Sequence, residues 1–312
     1  MEVIFDVVIP VFGILFAGYL CRRTGLFGEA VGEGLNAFVF WLAFPALIFV
    51  SLAKVPISSA FDWPLHAAYV GGVFGTFALA VVVGGFAFGL RPAALVIHGL
   101  AAAFANTAYM GVPLALSVGG TDVTLPVVLF TVFNASILLG IGIFLIEVDI
   151  WANQPIRVAT LGVVRAVATN PLVLAGIVGL TVAVCGIDLP GSVVRVVGFL
   201  GDAAAPAALV AMGAFLVGKR PVERVVETGW LVFLKMLIHP AITLWLATVL
   251  LVGTDRCVVI TTMSAALPTG TLVFVIASRY RLLVDQVSVV ILITTLLSAI
   301  TVPAVLVYFS SP

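Results

Sequence analysis

Long apolar runs alternate with short polar segments along this chain, and the length of the runs gives the first prediction. A transmembrane helix needs about 20 consecutive apolar residues to cross the hydrocarbon core of a bilayer. Runs of that length, bounded by charged or turn residues, predict ten spans near residues 3–21, 32–53, 66–90, 94–118, 124–146, 167–187, 193–217, 229–252, 257–278 and 286–309. The segment from about Glu147 to Ala166 is predicted to be the longest loop.

The fourth and ninth runs contain residues that interrupt a helix. The fourth contains Asn106, Thr107, Gly111 and Pro113, and the ninth contains Pro268, Thr269, Gly270 and Thr271. Proline removes a backbone donor, and a lipid-exposed helix must pair its backbone groups internally. We therefore predict two broken helices shielded from lipid, an arrangement typical of transporter sites.

A weak internal repeat relates the two halves of the chain. A shift of 161 or 162 positions superposes pairs such as Pro10 on Pro171, Pro45 on Pro206, and Thr107 on Thr269. The spans stay in step under this shift, so residues 1–150 and 165–312 are each predicted to hold five spans. Because five is odd, the second half must enter the membrane from the opposite side. The halves are therefore predicted to be inverted repeats, with the two interrupted spans equivalent.

Composition supports an all-α membrane protein. Hydrophobic residues make up 63% of the 312 residues and charged residues only 9%, far from the composition of a soluble domain. The 14 basic and 14 acidic residues cancel, which argues against a nucleic-acid partner. The three cysteines, Cys21, Cys185 and Cys257, lack zinc-site spacing, so neither a metal nor another cofactor is expected.

The distribution of basic residues predicts the orientation in the membrane. Lys and Arg accumulate in cytoplasmic loops. With the N-terminus outside, the inside loops hold Arg22, Arg23, Arg91, Arg157, Arg165, Lys219, Arg220, Arg224, Arg279 and Arg281. We therefore expect a multi-pass protein of the plasma (inner) membrane with both termini extracytoplasmic.

The interrupted spans carry groups suited to binding an anion. A broken helix exposes backbone N–H groups and a partial positive charge where its second half begins. Asn106 adds a donor amide, and Thr107, Thr269 and Thr271 add hydroxyls, without a buried cation. The alternative interpretation is that Gly, Pro and Thr only allow close helix packing.

Four motifs resemble the auxin efflux carrier family, which includes bacterial malonate and malate permeases and the plant PIN-type carriers. Residues 106–114, Asn-Thr-Ala-Tyr-Met-Gly-Val-Pro-Leu, are similar to the family's fourth-span motif. Residues 170–177, 200–209 and 266–277 resemble its sixth, seventh and ninth spans. The resemblance covers essentially the whole chain.

The resemblance implies a ten-span carrier with the architecture of sodium/proton antiporters and bile-acid symporters. Spans 66–146 and 229–309 would form a moving transport unit, and spans 3–53 and 167–217 a scaffold, often a homodimer interface. The fourth and ninth helices would cross and bind the substrate carboxylate, with Asn106 matching the carboxylate-binding Asn and Pro268 the crossover Pro. Ala105 replaces the Pro that plant members have before the Asn. The substrate-binding candidates are Asn106, Thr107, Tyr109, Gly111, Pro113, Pro268, Thr269, Gly270 and Thr271.

Three ionisable residues within predicted spans are further candidates for a functional role. Lys235 and His239 are four residues apart on one helix face and could compensate an anionic substrate or relay a proton. Alternatively, Lys235 could snorkel to the interface or pair with Asp202. Asp202 is a second coupling candidate, although a carboxylate there also suits a helix N-terminus.

Catalysis is not expected, because no nucleophile triad, zinc motif or phosphate-binding loop is present. The sequence predicts an elevator-type secondary transporter or uniporter of small organic anions, either mono- or dicarboxylates, with a proton or sodium as a candidate coupling ion. The alternatives are a sodium-coupled bile-acid-type symporter or cation/proton antiporter of the same architecture, and a non-transporting membrane ligand sensor.

Overall fold

A computed structural model describes residues 2–54, 63–112, 114–115, 121–152, 154–215, 217, 224–250 and 255–310. Regular structure in these residues is helical, with one isolated β-bridge between Ala105 and Thr269 and no strand. The all-α prediction is therefore confirmed for the described part of the chain.

The helices are numbered in chain order. They are α1 (Glu2–Arg23), α2 (Glu29–Ala53), α3 (Trp63–Phe88), α4 (Pro92–Ala103), α5 (Thr121–Val132), α6 (Leu139–Trp151), α7 (Ile156–Ala168), α8 (Pro171–Val184), α9 (Gly191–Asp202), α10 (Ala204–Phe215), α11 (Val225–Leu250), α12 (Asp255–Ala266), α13 (Leu272–Tyr280) and α14 (Val284–Ser310). A π-helical turn, Thr107–Gly111, follows α4.

Six of the described helical segments are long and apolar enough to cross a membrane. They are Glu29–Ala53, Trp63–Phe88, Pro126–Trp151, Gly191–Phe215, Val225–Leu250 and Val284–Val305. Shorter apolar helices are Pro92–Ala103, Pro171–Val184 and Cys257–Ala266. Two of these shorter helices, α4 and α12, occupy the spans that the sequence predicts to be interrupted.

Two of the long helices contain a π-helical turn just before a proline. In α2 the turn Val39–Ala43 precedes Pro45, and in α11 the turn Leu234–Ile238 precedes Pro240. A proline lacks the N–H that would bond four residues back, and its ring clashes with that carbonyl. Widening the preceding turn relieves the clash. The π turn of α11 carries Lys235.

The chain divides into two compact units. The first comprises Met1–Phe12, Phe61–Thr131 and Lys219–Pro312, and the second comprises Gly13–Ala60 and Val132–Gly218. In the first unit, α3 packs against α4 and α11, and α12 packs against α11 and α14. In the second unit, α2 packs against α8, α9 and α10. The predicted division into repeats, scaffold spans and transport spans stays a prediction.

The predicted loop from Glu147 to Ala166 is wrong, because most of this segment is helical. α6 continues to Trp151, and α7 begins at Ile156. α7 has only 13 residues, fewer than the about 20 that a span needs, and Arg157 and Arg165 interrupt its apolar sequence. The same mixture is typical of a helix that lies at a membrane surface.

The contact between α2 and α8 generates a stability prediction. A Cβ added to Gly179 would lie 2.9 Å from both the Leu52 Cβ and the Phe49 carbonyl oxygen, and the backbone atom cannot rotate away. Gly179→Ala should therefore lower the free energy of unfolding by about 1–3 kcal/mol, the usual cost of overpacking. Thermal unfolding in detergent measures the change. Gly198→Ala on α9, where nothing lies within 4 Å of the added Cβ, is the control and should not be destabilised.

Candidate functional site

The fourth predicted span breaks between Phe104 and Asn106. α4 ends at Ala103, and Phe104 adopts an extended conformation with φ −76° and ψ 103°. Asn106 is also non-helical, with φ −78° and ψ 56°, and the π turn starts at Thr107. The break therefore flanks Ala105, although this position is not a proline. Gly111 lies inside the following turn, and Pro113 lies outside the described residues.

The ninth predicted span breaks over Leu267–Gly270. α12 ends at Ala266, and α13 begins at Leu272 with Thr271 as its N-cap. Pro268 lies within the break. A proline is disfavoured in a helix interior because it cannot donate the backbone hydrogen bond.

The two breaks meet and pair their backbones. The Asn106 N–H donates to the Pro268 carbonyl at 2.8 Å, and the Gly270 N–H donates to the Phe104 carbonyl at 3.0 Å. Each break thereby satisfies polar groups of the other that lipid could not satisfy. Gly270 permits this approach, since an added Cβ would lie 2.7 Å from the Phe104 ring.

Thr269 connects the crossover to both neighbouring helices. Its hydroxyl donates to the Ala101 carbonyl in α4 at 2.7 Å, and its N–H donates to Thr294 Oγ1 in α14 at 3.2 Å. The residue is fully buried. The hydroxyl proton of Thr269 is therefore already donated to a protein carbonyl, and this hydrogen bond stabilises the crossover.

Two other polar side chains at the crossover, Thr271 and Asn106, are buried. Thr271 Oγ1 is buried without a hydrogen-bond partner among the described residues. The Asn106 side chain makes no capping hydrogen bond, and the residue is only 5% exposed. The first turn of α13 uses backbone donors of its own, since the Val273 and Phe274 N–H groups donate to the Gly270 and Thr271 carbonyls at 3.2 and 3.1 Å. Buried donors without partners are costly, so a bound acceptor would be stabilising here.

Two other substrate-binding candidates, Thr107 and Tyr109, lie in the π turn. Thr107 is buried. The Tyr109 backbone lies in the π turn with Thr107.

Lys235 and His239 form a buried pair beside the ninth-span break. Lys235 Nζ lies 2.9 Å from His239 Nδ1 and donates to the Ala265 carbonyl at 2.8 Å. Ala265 is in the last turn of α12, where the helix dipole is negative and a cation is stabilised. Both side chains are fully buried. Lys235 therefore does not snorkel to the interface.

Asp202 does not lie in a buried site. It is the last residue of α9, and it is exposed. Asp202 belongs to the second compact unit and Lys235 to the first. Their pairing, which the sequence offered as an alternative, stays a prediction.

A second buried ionic cluster was not predicted from the sequence. His98 Nδ1 on α4 lies 3.4 Å from Glu227 Oε1 on α11, and Arg224 Nη1 lies 3.0 Å from Glu227 Oε2. Glu227, Lys235 and His239 are spaced by eight and four residues, which places them on one helix face. That spacing was the sequence signal that could have identified Glu227. The sequence analysis did not use it, because Glu227 lies just before the predicted span 229–252.

The bond from Thr269 to Ala101 generates a prediction about the crossover. Thr269→Val keeps the shape of the side chain but leaves the buried Ala101 carbonyl without this donor, so we expect a loss of about 1–3 kcal/mol of stability. Thermal unfolding of the purified protein measures it. Thr301→Val, which removes a long bond of 3.3 Å to Leu297 within α14, is the matched control. Equal melting temperatures for the two variants would contradict this role of Thr269.

Comparison with known proteins agrees with the sequence motifs. The family described as "Membrane transport protein" matches residues 3–306. A protein of Rhizobium meliloti (strain 1021) named "Putative malonate transporter" is 35% identical over 309 residues, covering 98% of this chain and 96% of that protein. An "Uncharacterized transporter" of Methanothermobacter thermautotrophicus is 25% identical over 307 residues, covering 96% of each chain. The resemblance to the auxin efflux carrier family is thereby confirmed, and the chain belongs to this membrane transport protein family.

Proposed function

We propose that this protein is a secondary transporter of small organic anions, which bind where the two broken helices cross. The observation that carries the proposal is a backbone crossover with the Thr271 hydroxyl, buried and without a partner among the described residues, and the buried Asn106 amide, which makes no capping hydrogen bond. A carboxylate accepts hydrogen bonds from such groups and is favoured at the start of a helix.

The groups at the crossover suit an anion better than a cation. The described parts of both breaks contain amides and hydroxyls and carry no carboxylate side chain. A sodium site would need several oxygen ligands. Neutral donors can bind a carboxylate without the cost of burying an additional unpaired cation. This chemistry supports a carrier of anions over the sodium-coupled and cation-exchanging alternatives.

Lys235 supports a dicarboxylate as the substrate class. A dicarboxylate requires more positive charge than two helix starts supply. The Lys235 ammonium lies against Ala265, two residues before the ninth-span break begins. The name of the Rhizobium relative, which refers to malonate, is consistent with this class. Monocarboxylates remain the competing class, for which Asn106 and the helix starts suffice.

The mechanism we propose is an elevator-type displacement within a ten-span protein of two inverted repeats. Both breaks, Asn106 and Lys235 belong to one compact unit that draws residues from both halves of the chain. A site contained in one unit can move with that unit without losing its ligands. This supports transport by displacement of the unit, powered by an ion gradient or the membrane potential. A homodimer, a plasma-membrane location and extracytoplasmic termini complete the proposal.

Asn106→Ala tests the proposed carboxylate site. The substitution removes the side-chain amide without touching the backbone bond to Pro268, so it should abolish carboxylate flux while folding is retained. Flux of radiolabelled malonate, malate and indole-3-acetate into proteoliposomes measures the effect, and the melting temperature checks folding. Undiminished flux would refute the assignment of Asn106.

A matched pair of threonine variants tests whether malonate binds at the crossover and not elsewhere along the neighbouring helices. Thr271 and Thr262 both have buried hydroxyls without a partner among the described residues, but only Thr271 lies at a break. Thr271→Val should weaken malonate binding about tenfold, the equivalent of one hydrogen bond to a charged group. Thr262→Val should leave binding unchanged. Thermal shifts titrated with malonate, with and without sodium, give both affinities, and sodium-dependent binding would argue against this proposal.

A further inference from the structure

We propose that His98, Glu227 and Arg224 form a proton-binding site that couples proton binding to anion binding. The inference rests on the proposed function and extends it, because it identifies the coupling ion as a proton and places it away from the crossover. It also makes the protein a proton–anion symporter.

The three residues form a charge cluster inside the first unit. The His98 and Glu227 side chains are 0% and 2% exposed, and their facing atoms, Nδ1 and Oε1, lie 3.4 Å apart. Arg224 precedes α11, its side chain is 50% exposed, and it contacts the other carboxylate oxygen at 3.0 Å. One edge of the cluster is thus accessible while the histidine and the carboxylate are enclosed.

The polar atoms of the cluster are incompletely paired. Neither nitrogen of His98 has a hydrogen-bond partner among the described residues, and the same holds for Glu227 Oε1. A proton would change this state, because an imidazolium carries N–H donors at both nitrogens and is attracted to the carboxylate. The arrangement therefore gains electrostatic stabilisation when it takes up one proton.

In the described part of the chain, the recorded ion pairs join the cluster to no other charged residue. α3 places Phe88 at 5.9 Å from the His98 ring and Gly84 beside it. The titratable residues of α3, His66 and Tyr69, pack against Phe130. On the same helix as Glu227, Lys235 and His239 contact each other.

The remaining charged or titratable side chains on packed elements lie near helix ends. Arg91 caps α4, Arg279 and Tyr280 end α13, and Asp285 is in the first turn of α14. Arg91, Arg279 and Asp285 are exposed. Their charges are therefore screened by solvent far more than those of the enclosed pair.

The cluster is linked to the crossover through α4. His98 lies six residues before Phe104, about 9 Å along a helix axis, and the Phe104 carbonyl accepts the Gly270 N–H. Without the proton, the charges of Glu227 and Arg224 cancel. With it, the cluster carries one net positive charge and attracts an anion bound at the crossover. By linkage, the anion must equally favour proton binding.

Two substitutions hold the cluster in opposite charge states. Glu227→Gln removes the negative charge and keeps Arg224, so the net positive charge of the loaded state persists at every pH. His98→Gln keeps Glu227 and Arg224 but cannot take up the proton on an imidazole. His66→Gln, which removes a different buried histidine of the same unit, is the matched control.

Malonate affinity, measured at about pH 6.5 and about pH 8.5, tests the inference. The wild-type protein and His66→Gln should bind malonate roughly tenfold more weakly at the higher pH. Glu227→Gln should bind tightly at both values and His98→Gln weakly at both. An unchanged pH dependence in both cluster variants would overturn the inference, and lower melting temperatures alone would assign the cluster a structural role.

A direct measurement on the wild-type protein removes any dependence on how the variants fold. Malonate added to lightly buffered protein should be accompanied by proton uptake, detected with a pH-indicator dye. Malonate binding without proton uptake would overturn the coupling inference and leave the proposed function standing. Failure of malonate, malate and indole-3-acetate to stabilise the protein would overturn both.

Discussion

The need to satisfy backbone hydrogen bonds inside a membrane is the constraint on which this structure depends. A helix broken in lipid exposes N–H and C=O groups that cost several kcal/mol each. Here two breaks bond to each other through Asn106, Pro268, Gly270 and Phe104. Neither break is independently tolerable, which explains why the interrupting residues occur in both halves of the chain. Thr269 then connects this pair to α4 and α14 by two hydrogen bonds.

The same constraint positions polar side chains at the crossover. Backbone pairing uses the groups at the centre of each break, while the Thr271 hydroxyl has no partner among the described residues and the Asn106 side chain makes no capping hydrogen bond. The backbone pairing fixes where these side chains start, which lowers the conformational entropy that the proposed binding of an acceptor would cost. The proposed site is a consequence of how the breaks are stabilised.

Buried ionisable side chains are organised along one face of α11, and two of them contact different broken helices. Glu227 faces His98 on α4, and Lys235 faces the end of α12 at Ala265. Buried ions are stable only when partners compensate their desolvation. α11 therefore makes polar contacts with both broken helices, and a change in charge at either contact acts on a helix that enters the crossover.

The sequence by itself determined the local features: an all-helical membrane protein, and two interrupted spans, one of which contains Asn106. These follow from composition, run length and residue type, which act over one or two helical turns. Only the tertiary structure decided that the fourth span parts around Ala105, that Thr269 donates to Ala101, and that His98 faces Glu227. The Thr269 bond joins residues 168 positions apart. A side chain's hydrogen-bond partner depends on such distant contacts, which helical periodicity does not encode. The Thr271 hydroxyl, which has no partner among the described residues, could therefore be identified only from the fold.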